Sequence, residues 1–194
     1  MELEILLQRN KKIRAIGFDD APFIRGTKDP VNFAGVVCAG TRFEGMLWGE
    51  VEADGWDATD RISELLLNSK FLPQLHILLI DGICLGGFNV IDLPKLCDRV
   101  GLPCVSVMRK MPDMTKIDRA LTRLPHKQKR LETIQNAGSI HQFPPFYFQV
   151  CGASPSTIAD VLTNLTDRGK VPEPLRLAHL IGSAVIKGES SNQA

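Results

Sequence analysis

Carboxylates close two separate apolar runs of this chain. Asp19 and Asp20 follow Lys-Ile-Arg-Ala-Ile-Gly-Phe (12–18), and Asp81 follows the continuous run Leu75–Ile80. Strand ends are where α/β folds place their ligands. If the two runs are neighbouring strands, Asp19 and Asp81 converge, and two ionised carboxylates so close require a cation to offset their repulsion. Hard oxygen donors of this kind select Mg²⁺ or Mn²⁺. Taken singly, Asp81-Gly82 also reads as a turn and Asp19 as a cap; it is the pair that points to a site. More acids lie in Glu50-Val51-Glu52-Ala53-Asp54-Gly55-Trp56-Asp57. Asp57 is the preferred third metal ligand, beside a structural reading as a helix cap.

Other groups fall near the same edge. Lys110 follows the run Leu102–Met108, where a cation can neutralise charge developing on a phosphate or hold a nucleophilic water, or stand solvated. From Arg109 to Arg130 there are eight Lys or Arg against two Asp. That basic segment suits a phosphate backbone, and equally a charged helix face in water. Gly82, Gly86 and Gly87 give the turn after Asp81 the freedom to approach a phosphate or a base, with Asn89 as a polar reader. The turn matches neither G-x-G-x-x-G nor the P-loop pattern, so dinucleotide and triphosphate fingerprints are absent. Glu173, Arg176 and His179 are spaced three apart, one helical face, behind the rigid entry Pro172-Glu173-Pro174. Arg176 is a further candidate substrate contact.

The elements that must position these groups follow from hydrophobic period and punctuation. Residues 12–18 predict a first strand, and 31–39 with 45–52 a hairpin beside it, making three antiparallel neighbours. A helix is expected over 57–70, stopped by Pro73. Residues 75–80 read as a central strand covered on both faces, 92–100 as a helix and 102–108 as a parallel partner strand. One or two helices broken near Pro125 fill 113–136, followed by a strand at 146–150 and closing helices at 156–165 and 174–186. The fold class is α/β, a mixed sheet with an antiparallel hairpin and flanking helices. Residues 1–188 are expected to form one domain and 189–194 a flexible tail.

Composition narrows the function. With 44% hydrophobic and 23% charged residues in 194, the chain can build one core without staples. No run approaches the ~20 apolar residues of a membrane span, and the stretch Leu3–Leu7 is too short for a signal sequence. A cytoplasmic protein with no membrane partner is predicted. The five cysteines, Cys38, Cys84, Cys97, Cys104 and Cys151, lie apart in apolar contexts and predict buried thiols, while the four histidines are too scattered for a zinc site. Net charge is +1, so affinity for nucleic acid must come from a local patch.

Ile16-Gly17-Phe18-Asp19, Asp81-Gly82, the strand Gly101–Lys110 and Pro172-Glu173-Pro174-Leu175-Arg176-Leu177-Ala178-His179 stand in an order that resembles the endonuclease V family. With Asp54-Gly55-Trp56-Asp57-Ala58-Thr59, the set is more similar still to the uncharacterised domain of unknown function 99 family. The resemblance implies a ribonuclease H-like, endonuclease V-like fold. It matches Asp19 and Asp81 to metal-binding aspartates, Lys110 to an active-site lysine, and His179 to a residue near the metal. Endonuclease V enzymes carry a Pro-Tyr-hydrophobic-Pro wedge and a Gly, His, Pro and Arg series after the Asp-Gly. Neither stands in this chain, which has Ile83-Cys84-Leu85-Gly86-Gly87-Phe88-Asn89 after Gly82. The expectation is a divalent-metal-dependent phosphodiesterase or nuclease acting on DNA or RNA. In it Asp19, Asp57 and Asp81 hold Mg²⁺, a metal-activated water attacks phosphorus, and Lys110 and His179 stabilise charge or position that water. Two other functions fit the same residues: a non-catalytic nucleic-acid-binding protein, and an enzyme acting on a small nucleotide ligand.

Overall fold

Six runs of five to ten residues and one three-residue edge strand build a seven-stranded sheet in the computed structural model, which describes residues 3–191. Of the expected tail 189–194, residues 192–194 lie outside the described residues. After a short helix α1 (Leu3–Gln8), strand β1 (Arg14–Asp20) pairs antiparallel with β2 (Val31–Ala39), which pairs antiparallel with β3 (Arg42–Val51). Helix α2 (Ala58–Leu67) and a single 3₁₀ turn lead to β4 (Ile77–Asp81), which lies parallel to β1. A small hairpin, β5 (Cys84–Leu85) and β6 (Asn89–Val90), is inserted before helix α3 (Leu93–Val100). Strand β7 (Cys104–Met108) then pairs parallel to β4. Helices α4 (Met114–Leu121) and α5 (Lys127–Asn136), strands β8 (His141–Phe143) and β9 (Phe146–Cys151), and helices α6 (Pro155–Asn164) and α7 (Glu173–Lys187) complete the chain. The sheet order is β3-β2-β1-β4-β7-β9-β8.

Central strands covered on both faces must be apolar at every position, and β4, Ile-Leu-Leu-Ile before its aspartate, is buried throughout that run. The alternation of side chains across the sheet defines two cores. Ile13, Ala15, Ile77, Leu79, Val105 and Val107 face α1, α6 and α7; Ile16, Phe18, Leu78, Ile80 and Cys104 face α2 and α3. No helix among the described residues is long and apolar enough to cross a membrane. The expected elements are present with shifted ends, and α4 and α5 are separate helices broken at Pro125. The hairpin β5–β6 stands where an open glycine turn was expected, and α1 and β8 are additions. The cysteines depart from expectation too: Cys38 and Cys104 are buried, whereas Cys84, Cys97 and Cys151 are only partly covered.

Candidate active site

Register decides which acids meet. Phe18 is the parallel partner of Ile80, so Asp19 and Asp81 follow side by side at the same edge of adjacent strands. Odd-numbered residues of β1, β4 and β7 share the α7 face, so Asp19 and Asp81 belong to one side of the sheet. Helix α7 lies directly over this edge and presents His179, whose Nδ1 is 2.9 Å from Asp19 Oδ2. On the other flank, Arg109 Nη2 donates to Asp81 Oδ2 at 3.2 Å. Both carboxylates thus engage Oδ2 and keep Oδ1 for a ligand.

Close backbone contact sets the Asp19–His179 geometry. A Cβ on Gly17 would stand 2.6 Å from the carbonyl carbon of Pro174, and one on Gly182 would stand 3.1 Å from Cα of Ala21. Two glycines therefore let β1 and α7 touch on either side of the pair. The Pro172 entry fixes the first turn of α7, and Glu173 there is buried and grips Arg176 with two bonds of 2.7 Å.

Mutual repulsion is visible in the acid–base behaviour. Burial, then the charge of Asp19, holds the Asp81 carboxyl above the usual carboxylate range. The hydrogen bond to Asp19 raises His179 above the ordinary histidine value, against the effect of its own burial. Asp20 leaves β1 on the opposite face, where its Oδ2 accepts the Gly86 N–H at 2.8 Å. Burial, followed by the charge of Asp19, pushes it up to about 6.

The hairpin and the loop after β3 form the rim. Gly86 O accepts from Asp54 N at 2.8 Å, and Asp54 Oδ1 accepts from Phe88 N at 2.7 Å. Arg130 ties both segments together: it donates to the carbonyls of Asp54 at 2.6 Å, Gly55 at 3.0 Å, and Phe88. Its guanidinium also stacks 4.2 Å from the Trp56 ring centre. Beside this rim opens a cavity of about 440 Å³ lined by Phe23, Arg25, Asp54, Gly87, Phe88 and Arg123.

Asp19, Asp81 and His179 are brought together, and Gly86 and Gly87 lie at the rim with Gly82 at its base. Four expected contacts are placed elsewhere. Asp57, read as the third ligand, is held at the start of α2 by Asn89 Nδ2 at 2.6 Å, Glu52 N at 3.1 Å and Arg61 at 3.2 Å. Asn89 is wholly buried; its Oδ1 accepts the Ala58 N–H at 2.9 Å, so it joins the hairpin to α2 and reads nothing in solvent. Arg176 is bound to Glu173. Lys110 lies in the bend after β7 and is exposed, with no partner among the described residues; Arg109 occupies the position beside Asp81. Within the basic segment, Arg130 is 1% exposed and so is no part of a phosphate-binding surface. Sequence reasoning passed over Asp20 and Arg109 as site residues. No local pattern signalled either one, because register decides which groups meet at this edge.

No three His, Cys, Asp or Glu side chains among the described residues converge as a ready-made metal cage. Two carboxylates suit Mg²⁺, which keeps several waters and takes one or two protein carboxylates beside substrate phosphates. They do not suit zinc, whose catalytic sites take three protein ligands.

Comparison with known proteins agrees with this architecture. A protein of unknown function from Archaeoglobus fulgidus superposes with a TM-score of 0.85 at 36% identity, over 91% of this chain and all of that one. Endonuclease V from Ciona intestinalis, solved with a 24mer DNA containing an inosine followed by a ribo-adenosine, superposes with a TM-score of 0.58 at 15% identity, covering 96% and 95% of the two chains. The fold is therefore the ribonuclease H-like one of endonuclease V. In sequence, a UPF0215 protein of Methanothermobacter thermautotrophicus is 41% identical over 100% of this chain and 98% of its own length. Residues 11–186 match the profile of the family described as Endonuclease dU, and the chain belongs to that family.

Proposed function

We propose that the chain is a Mg²⁺-dependent endonuclease that cleaves a phosphodiester bond at the Asp19–Asp81 edge. One observation carries the reading: the parallel register of β1 and β4 sets two partly buried carboxylates side by side, each with an oxygen left over. Asp19 and Asp81 hold the ion, which when bound supplies Lewis-acid stabilisation of charge on the phosphoryl oxygens. His179 donates from Nδ1 to Asp19; this fixes its tautomer and leaves Nε2 to take or give a proton. Arg109, nearly half exposed, reaches from Asp81 toward an approaching phosphate.

The rim supports a nucleic-acid strand as substrate. Arg25, Arg109, Lys110, Arg119 and Arg123 are exposed cations near this edge or on α4 beside it. Phe23 and Phe88 give the 440 Å³ cavity aromatic walls that fit a planar base, and Asp54 supplies an acceptor within it. The family description, Endonuclease dU, and the DNA held by the Ciona neighbour support the same substrate class.

The test is Mg²⁺ binding by calorimetry on wild type and Asp81→Asn, with cleavage of labelled DNA carrying one deoxyuridine, one inosine or neither, and of RNA. Metal binding and cleavage in wild type, both lost in a folded Asp81→Asn variant, support the reading. A wild type that binds no Mg²⁺ at millimolar concentration, or an Asp81→Asn variant that cuts as well as wild type, refutes it.

A further inference from the structure

Three of the five cysteines gather at the opposite edge of the sheet from the carboxylates. Cys104 opens β7 and Cys151 closes β9, and the antiparallel register makes them direct partners. Cys97 lies in the last turn of α3, and only Gly101-Leu102-Pro103 separates that helix from β7. The chain is thereby turned so that Cys97 packs on the same core as Cys104 and Cys151. A Cβ built on Gly152 would stand 2.9 Å from Cys97 Sγ. The bare peptide following Cys151 thus makes room for the Cys97 sulfur, and its φ of +88° independently favours glycine.

The three thiols are unequal. Cys104 is fully buried, with its Sγ 3.4 Å from Leu102 O. Cys97 and Cys151 are partly open to solvent. A cavity of about 440 Å³ whose wall includes Leu102, Pro103, Gly152 and His76 opens beside them. Hydrogen bonds from Cys104 first, then from Cys151, hold the Cys97 thiol down to about 6, while burial pushes Cys151 up to about 11. A lowered thiol clustered with a raised one is the arrangement that makes a cysteine reactive and supplies its resolving partner. Cys38 and Cys84 contrast with it, since burial pushes each up to about 12.

We propose that Cys97 and Cys151 are an oxidisable thiol pair that closes a reversible disulfide between the end of α3 and the end of β9 when the protein meets hydrogen peroxide or another peroxide. The Cys97 thiolate attacks one peroxide oxygen, the O–O bond breaks, and the sulfur becomes a sulfenic acid as hydroxide leaves and takes a proton from solvent to become water. Cys151 sulfur then attacks Cys97 sulfur; the S–S bond forms, the S–O bond breaks, and the departing hydroxide takes the Cys151 proton as a second water. Two thiols are oxidised by two electrons and one peroxide is reduced to two waters. Cys104, more deeply buried, polarises Cys97 and is not consumed.

The test is to expose the fully reduced protein to stoichiometric hydrogen peroxide at pH 7, alkylate, and map the peptides without reduction. Free thiols are expected to fall from five to three, with a Cys97–Cys151 linkage that dithiothreitol reverses. Cys97→Ser should lose no thiols, and Cys151→Ser should stop at a Cys97 sulfenic acid trapped by dimedone. Circular dichroism establishes that both variants are folded, and in denaturant the preference for this pair should disappear. Five alkylatable thiols after peroxide, a Cys97–Cys104 linkage, or a cross-link between chains would each overturn the proposal.

Discussion

Replacing Arg130 with methionine removes a buried cation that no carboxylate pairs. Arg130 is 1% exposed, and its fork satisfies the carbonyls of Asp54, Gly55 and Phe88 while its plane covers Trp56. Burial alone holds its pKa below the ordinary arginine value, so the carbonyls must offset an unfavourable desolvation. Hydrogen bonds from a charged donor contribute about 1.5–3 kcal/mol each, and a buried cation over an indole adds about 2 kcal/mol. Methionine recovers the packing and relieves the desolvation but leaves the carbonyls bare. At about 1–3 kcal/mol for each of the three carbonyls left unsatisfied, less the relieved desolvation, a net loss of about 3–5 kcal/mol follows. At about 2–4 °C per kcal/mol for a chain of this length, Tm should fall by roughly 6–20 °C. Arg130→Lys keeps the charge without the fork and should retain at least half of the loss. Urea unfolding followed by circular dichroism measures the change, and Trp56 emission reports the local site. Since Asp19 and Asp81 stand on the sheet and not on the rim, Mg²⁺ affinity should change far less than substrate binding. A loss under about 1 kcal/mol would refute the reasoning, because the carbonyls would then have found other partners.

Gly17→Ala should cost about 1–3 kcal/mol in urea unfolding and lower Mg²⁺ affinity, because the new methyl meets the backbone of Pro174 and Leu175 and pushes α7 off β1. His76 Nδ1 accepts the Arg14 N–H at 2.9 Å, and burial, with the Arg14 charge adding, holds its pKa below the ordinary 6.5. Below pH 6.5 the unfolded chain therefore takes up a proton that the folded chain resists. Stability should fall as pH drops from 6.5 through the folded value, with no contribution above. His76→Asn, which keeps an acceptor, should flatten that limb of a Tm-against-pH curve. Arg25→Ala and Arg123→Ala should each reduce the slope of log K against log salt for single-stranded DNA by about 0.7, read by fluorescence anisotropy. An unchanged slope would remove both residues from the binding surface.

How far the sequence reaches is clearest at the strand ends. Asp19 and Asp81 are legible because each terminates an unbroken apolar run, and such runs are what a doubly covered strand requires. Which neighbour joins them depends on parity, and parity depends on register, which no local pattern fixes. Val107 is the partner of Asp81, and in the bend beyond the strand Arg109 reaches back to that carboxylate. Asp57 and Asn89 are ambiguous in sequence because polar residues next to a helix start and a glycine turn suit a ligand and a brace equally well. In the fold they bond to each other across the contact between the hairpin and α2, 32 residues apart in sequence. Strand β8 was illegible for a different reason: His141-Gln142-Phe143 has no alternation, and it is a strand because β9 offers an unpaired edge. Helix α1 spans only six residues, too few for a period to show.

The hairpin β5–β6 is attached to its surroundings largely through main-chain atoms. Gly86 bonds by its N–H to Asp20 and by its carbonyl to Asp54 N, and Phe88 bonds by its N–H to Asp54 and by its carbonyl to Arg130. The partly exposed side chains at 83 and 88 can therefore be exchanged while the anchors stay, provided residue 86 keeps its left-handed φ of +57° and the wholly buried Leu85 is kept. On the proposed function, substrate preference and metal binding become separable modules on one scaffold: a library built on this insertion should diversify the pocket lining without touching Asp19 and Asp81.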